Sequence, residues 1–164
     1  MALAFLAVRS SPLLERTVAG WLAQFRCDAL PLPEPHTRTR TYRRLRAGPD
    51  CDAWIIRWPT GSVASLHDHG AATGAIGVLC GDLMETFLLR GQLHTRYLRA
   101  GRIVKLPADH VHEVTNHTSA VAYSVHVYAP GLEAMNFYRT EGDGSLRRVH
   151  SEDVEQWEAA SQSW

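Results

Sequence analysis

From about residue 40 to residue 139 the chain sets apolar against polar positions in short runs, and turn-forming residues close each run. "DAWIIRW", "GAIGVLCG", "LMETFLL" and "VAYSVHVYA" are among these runs, and Gly48-Pro49-Asp50, Gly81-Asp82, Arg90-Gly91 and Ala100-Gly101 are among the breaks. Side chains alternate faces along a strand, so many short runs at close spacing predict a β-sandwich or barrel. Residues 10–25 follow another period. Leu13, Leu14, Val18, Trp21, Leu22 and Phe25 recur at helical spacing, Ser10 or Ser11 offers a cap, and Pro12 fits the first turn. The run "LPLPEP" (30–35) then breaks the pattern and reads as a connector wrapped over the body. The tail, 151–164, is expected to form a short helix capped by Ser151, with Glu152, Asp153 and Glu155 at its N-terminal end. The expected architecture is a single domain, 1–164, all-β with a few helices. It divides into an N-terminal helix and connector (1–35), a barrel core (40–139) and a tail.

Composition narrows the partners. At 164 residues the chain is long enough to bury one sizeable core. Its 17 Lys and Arg balance 17 Asp and Glu, which leaves no net field to draw nucleic acid or an anionic membrane. The basic run "HTRTRTYRRLR" (36–46) is a local exception, most of it consistent with a solvated strand. Three cysteines, Cys27, Cys51 and Cys80, lack C-x-x-C spacing and are odd in number, which argues against a disulfide framework and for a reducing, cytoplasmic setting, with Cys80 in the core. The opening "MALAFLAV" has no basic residue before it and is too short to span a bilayer, so packing onto the core is expected.

Nine histidines are many for this length. In "SLHDH", a strand would turn His67 and His69 to one face and Asp68 to the other. Two imidazoles on one face, two positions apart, are able to share a metal ion. A second cluster, "GRIVKLPADHVHEVTN", offers His110 and His112 at equal parity, then Asn116. Together the two stretches resemble the paired motifs of the cupin superfamily. The first runs Gly61, His67, His69, Gly74, Gly81, and the second runs Gly101, Pro107, Asp109, His112, Asn116. Spacing is kept throughout, with Gly74 where the motif has an acid and Asp109 where it has a glycine. The resemblance implies a small, jelly-roll-like β-barrel holding one metal, with His67, His69 and His112 on the ligand positions and His110 as the rival third ligand.

A cupin with glycine in place of the acid is similar to the cysteine dioxygenase-like thiol dioxygenases, in a pattern that looks bacterial. The likeness covers roughly residues 40–138. "HDHG" with "GVLCGDLMET" looks like that family's H-D-H segment and the next strand. "SVHVY" looks like its S-x-H-x-Y strand, and "TYRRL" resembles its Y-x-R element. By this resemblance Ser124, His126 and Tyr128 form the catalytic row, and Tyr128 also meets the substrate. Tyr42 and Arg44 stand at the substrate-carboxylate position, with Arg43 the neighbouring alternative. The family uses Fe(II) and O₂ to convert a small thiol to a sulfinic acid. Three neutral imidazoles leave the full charge and open positions of the ion for substrate and oxygen, although such a donor set also suits zinc. The expectation is therefore an enzyme that oxidises L-cysteine to cysteine sulfinic acid, a monomer or weak homodimer without nucleic-acid or membrane partners. A 3-mercaptopropionate dioxygenase and a non-catalytic, metal-binding cupin sensor are the alternatives. Gly74 cannot supply the cysteine that animal members crosslink to the matching tyrosine, so no Cys–Tyr cofactor is expected. Trp54 and Trp58 read as packing residues.

Overall fold

The computed structural model describes residues 11–25 and 39–154. The expected cap at Ser10, the opening apolar segment, Cys27, the 30–35 connector and residues 155–164 lie outside the described residues. One helix, α1 (Ser11–Gln24), precedes eleven strands: β1 (Thr41–Arg46), β2 (Asp52–Trp58), β3 (Val63–Asp68), β4 (Thr73–Cys80), β5 (Asp82–Leu89), β6 (Gln92–Arg99), β7 (Ile103–Leu106), β8 (His112–Thr115), β9 (Ala122–Ala129), β10 (Ala134–Thr140) and β11 (Leu146–Asp153). They form two antiparallel sheets, one ordered β1-β2-β9-β4-β7 and the other β11-β10-β3-β8-β5-β6.

Alternation along the strands explains where the core sits. Trp54, Ile56 and Trp58 of β2 and Ile76 and Val78 of β4 turn inward. They meet Ala64, Leu83, Leu98, Val114 and Met135 from the other sheet in one apolar cluster. The odd positions Ala53, Ile55, Ala75, Val125 and Val127 turn outward and are covered by Leu14 and Val18 of α1. β2 and β9 are thus buried on both faces, which is why they read as near-continuous apolar runs. Gly77 of β4 brings the helix close. A Cβ there would stand 2.8 Å from the Leu22 side chain and still nearer to Val18. The helix accordingly covers the outer face of the five-stranded sheet, on the opposite side from the histidines.

Two expectations are corrected. Ser151, Glu152 and Asp153 belong to β11, paired with Asn136, Met135 and Ala134 of β10, so Ser151 is a strand residue and not a helix cap; helical structure begins only at Val154, and the rest of the expected tail helix lies outside the described residues. Pairing along a whole strand outweighs a local capping signal. Cys80, expected as a core thiol, is disulfide-bonded, while Cys51 is a free, buried thiol. Among the described residues no helix is long and apolar enough to cross a membrane.

Candidate metal centre

β3 and β8 pair in the six-stranded sheet with His67 directly opposite His112. His69 follows the end of β3, where Gly70 turns the chain at φ 57°. One ligand atom from each of His67, His69 and His112 lies within 4.8 Å of the others, and all three side chains are buried. Their hydrogen bonds fix how they face. A carbonyl only accepts, so Nδ1–H of His67 donates to Ser65 O at 2.7 Å. Nδ1–H of His112 donates to a carboxylate oxygen of Glu85 at 2.8 Å. Both rings therefore present an Nε2 lone pair, and Nε2 of His112 is buried without a hydrogen-bond partner. A buried, unpartnered imidazole nitrogen among two further imidazoles is what a metal ion would complete. Burial in company with the other imidazoles drives His67 and His69 well below the usual histidine range, and burial also lowers His112 despite Glu85. Neutral imidazoles are the metal-binding form. His110 turns elsewhere, its Nε2–H donating to Glu85 at 3.0 Å. Asp68 faces away from the centre, accepting hydrogen bonds from Gly70 N–H, Asn136 and Tyr138 and so tying β3 to β10.

Ser124, His126 and Tyr128 lie in one inward row on β9, opposite Ile56, Trp54 and Asp52 of β2. The direction of their hydrogen bonds follows from His69: with its Nε2 unprotonated, the form a metal ligand takes, the phenol must donate to it, and each bond behind the phenol then points the same way. The Trp58 indole N–H is donor only and gives its proton to Ser124 Oγ at 2.8 Å. Ser124 then donates to His126 Nε2 (2.9 Å), His126 Nδ1–H donates to Tyr128 Oη (3.1 Å), and the phenol donates toward His69 Nε2 (3.0 Å). Burial pushes His126 down to about 3 and raises the Tyr128 phenol above its ordinary value. The row is neutral, with one proton aimed at the centre. Gly74, paired with Tyr128 across β4 and β9, makes room for the ring: a Cβ at 74 would lie 2.9 Å from Tyr128 Cδ1. The Tyr128 ring thus fills the space beside position 74.

The imidazoles border a small cavity of about 10 Å³, whose wall also holds Trp58, Tyr128, Met135 and Arg40. The cavity's arginine is Arg40, and Arg44 does not line it. Tyr42 packs edge-to-face on Trp54 at 6.2 Å. Arg44 donates to Asp52 Oδ2 at 3.0 Å, and that fully buried carboxylate also accepts Leu132 N–H. Arg40, Tyr42 and Arg44 share a parity. β1 pairs Tyr42 with Ile56 and Arg44 with Trp54, while Arg40 sits over the Trp58 ring at 5.1 Å. Parity alone did not separate the two arginines; distance along the strand does. Sequence reasoning also missed Trp58 as a hydrogen-bond donor, and it missed Glu85. For Glu85 a signal existed: in "LMETF" an acid falls on the inward parity of Leu83 and Phe87, and a buried carboxylate requires partners. Burial would raise its pKa, but the hydrogen bonds from His110, His112 and Arg96 outweigh burial and hold it well below the usual carboxylate range.

The other motif residues are structural. Asn116 Nδ2 donates to the carbonyls of Trp58 (2.8 Å) and Ala120 (2.7 Å), closing the loop before β9 onto the end of β2. Asp109, in the motif's glycine position, has φ 57°, the left-handed conformation that aspartate tolerates.

Several solved structures share this fold. A protein from Thermus thermophilus aligns over 61% of this chain and 91% of its own at 17% identity and a TM-score of 0.54. A double-stranded β-helix protein from Klebsiella pneumoniae aligns over 71% and 90% at 17% identity and 0.52. A recombinant oxalate oxidase in complex with glycolate aligns over 70% of this chain and 63% of its own at 20% identity and 0.55. At these identities the likeness establishes the cupin, or double-stranded β-helix, fold. Residues 34–141, well over half of the chain and including strands β1 to β10 with His67, His69 and His112, match the family described as cysteine dioxygenase type I. A three-histidine group able to hold a metal, in a cupin barrel whose sequence matches from β1 to β10, places this chain in the cysteine dioxygenase type I family.

Proposed function

We propose that the protein is a thiol dioxygenase that converts a small carboxylated thiol, L-cysteine foremost, to its sulfinic acid, with Fe(II) held by His67, His69 and His112. The observation that carries this reading is the unpartnered Nε2 of His112 beside the His67 and His69 rings, with no carboxylate among the three. Fe(II) bound there supplies the acidity that deprotonates a thiol and the electron transfer that reduction of O₂ requires. The overall change, R–SH plus O₂ to R–SO₂H, places both oxygen atoms on sulfur and needs no further reductant.

The chain's own residues supply orientation. Arg40 takes the substrate carboxylate in a two-pronged hydrogen bond, in place of Arg44, whose guanidinium is bonded to Asp52. Tyr128, held by His126 and Ser124, directs its O–H toward the reacting groups once His69 Nε2 is engaged by metal. The apolar wall of Ile56, Val114 and Met135 excludes water. A cavity of about 10 Å³ admits a cysteine-sized ligand only when a wall residue gives way.

Oxygen uptake by anaerobically iron-loaded protein, followed with cysteine, 3-mercaptopropionate and cysteamine, tests this. Cysteine is expected to consume one O₂ per sulfinate formed, and cysteamine, which has no carboxylate, is expected to be the poorest substrate. His112→Ala should abolish both iron retention and uptake. Iron-loaded protein that consumes no oxygen with any of the three would instead mark a non-catalytic binding protein.

A further inference from the structure

Glu85 is fully buried and is bonded directly to a residue of the metal centre. It projects from β5 beside Leu83 and Phe87 toward β8. One carboxylate oxygen accepts both Nδ1–H of His112 (2.8 Å) and Nε2–H of His110 (3.0 Å). The other accepts Nε–H of Arg96, which stands directly across β6. Glu85, His110 and His112 also cluster closely enough to hold a metal of their own. The guanidinium on the same carboxylate argues against that, because it places a fixed positive charge where a second cation would sit. With both oxygens engaged, the carboxylate is not free to swing round and become a ligand.

A neutral imidazole carries its proton on either nitrogen, and only the tautomer protonated at Nδ1 leaves Nε2 free to bind metal. An acceptor fixed at Nδ1 selects that form and raises the donor strength of Nε2. We propose that Glu85 is the positioning residue of the metal centre. By accepting Nδ1–H of His112 it locks the ligating tautomer and supplies, one imidazole removed from the ion, the negative charge that Gly74 does not provide. Arg96 offsets part of that charge and so sets how strongly the metal feels it. The inference rests on the proposal that His67, His69 and His112 hold the metal.

The test is an anaerobic Fe(II) competition titration against a coloured chelator, together with the Fe(III)/Fe(II) midpoint potential, on wild type, Glu85→Gln and Arg96→Gln. Glutamine at 85 keeps the size and one acceptor oxygen but removes the charge. Iron should bind about 10–100-fold more weakly, and the midpoint should move positive because Fe(III) loses more stabilisation than Fe(II). Arg96→Gln leaves the Glu85–His112 bond in place and should move both readouts the opposite way, to tighter binding and a more negative midpoint. A packing role for the cluster predicts weaker binding in both variants, and that result would overturn the assignment, as would a Glu85→Gln protein matching wild type. If the Glu85→Gln protein does not fold, the sign of the Arg96→Gln shifts decides alone: tighter and more negative supports the assignment, unchanged or weaker overturns it. Wild type that binds no Fe(II) defeats the metal centre itself, an outcome distinct from any difference between variants.

Discussion

The two faces of β9 carry opposite kinds of residue within eight positions. Inward, Ser124, His126 and Tyr128 form a directed run of hydrogen bonds that ends at the three imidazoles. Outward, Tyr123, Val125 and Val127 make an apolar floor on which α1 lies. Both faces are buried, yet one invests in orientation and the other in area removed from water. A buried polar row is stable only when each member is satisfied, and here Trp58 on one end and His69 on the other close the count. The apolar face demands only shape. The strand therefore separates chemistry from stability by parity alone, and substitutions on either side should dissociate the two.

The largest dissociation is expected at Tyr128. Tyr128→Phe removes one oxygen and keeps the ring against Gly74. Turnover should fall on the order of 10²-fold, the scale of a positioned proton donor, while iron affinity holds and stability falls by only about 1–3 kcal/mol for the His126 Nδ1–H left without its acceptor. A loss of iron along with turnover would make the phenol a structural member of the centre. On the outer face, Gly77→Val drives a side chain into Val18 and Leu22. Overpacking of this kind costs about 1–3 kcal/mol, to be read in a urea midpoint, with iron affinity unchanged. An altered iron affinity would show that the outer face does position the site.

The most gradual effect is the dependence on pH. The His126 pKa is about 3 in the native protein because burial disfavours its charged form, whereas an unfolded histidine titrates near 6.5. Below that value the unfolded chain binds the additional proton. Stability of the metal-free protein is therefore complete above about pH 6.5 and is lost as pH falls toward 3, by at most about 1.4 kcal/mol per pH unit from this residue. The lowered His67, His69 and His112 act in the same direction. A stability curve that stays flat between pH 7 and pH 5 would mean that the inner row takes up protons as readily in the folded protein as in the unfolded chain.

Much of this arrangement was legible in the sequence because period two is a strong geometric constraint. It placed His67 with His69, turned Asp68 away, and aligned Ser124, His126 and Tyr128. It did not fix how far along a strand the site extends. Arg40 and Arg44 satisfy the same alternation, and only the pairing of β1 with β2 separates the arginine beside Trp58 from the one beside Trp54. Glu85 escaped for a related reason. Its partners come from β6, from β8 and from the turn before β8, 11 to 27 residues away in sequence, so no local pattern announces them. Ser151 shows the reverse error, a local capping signal overruled by the pairing of Ser151 with Asn136 of β10. Asp68 was read as facing away from the metal, and its bonds to Asn136 and Tyr138 are what that orientation accomplishes.

Gly74 bears on any attempt to redesign the protein. A side chain grafted at that position grows straight into the aromatic ring of Tyr128 and toward the Val127 carbonyl. An engineer who wants a fourth, acidic anchor for the ion must also give up the hydroxyl that faces it. The two solutions are competing tenants of one space, and a workable conversion has to exchange both residues in the same step.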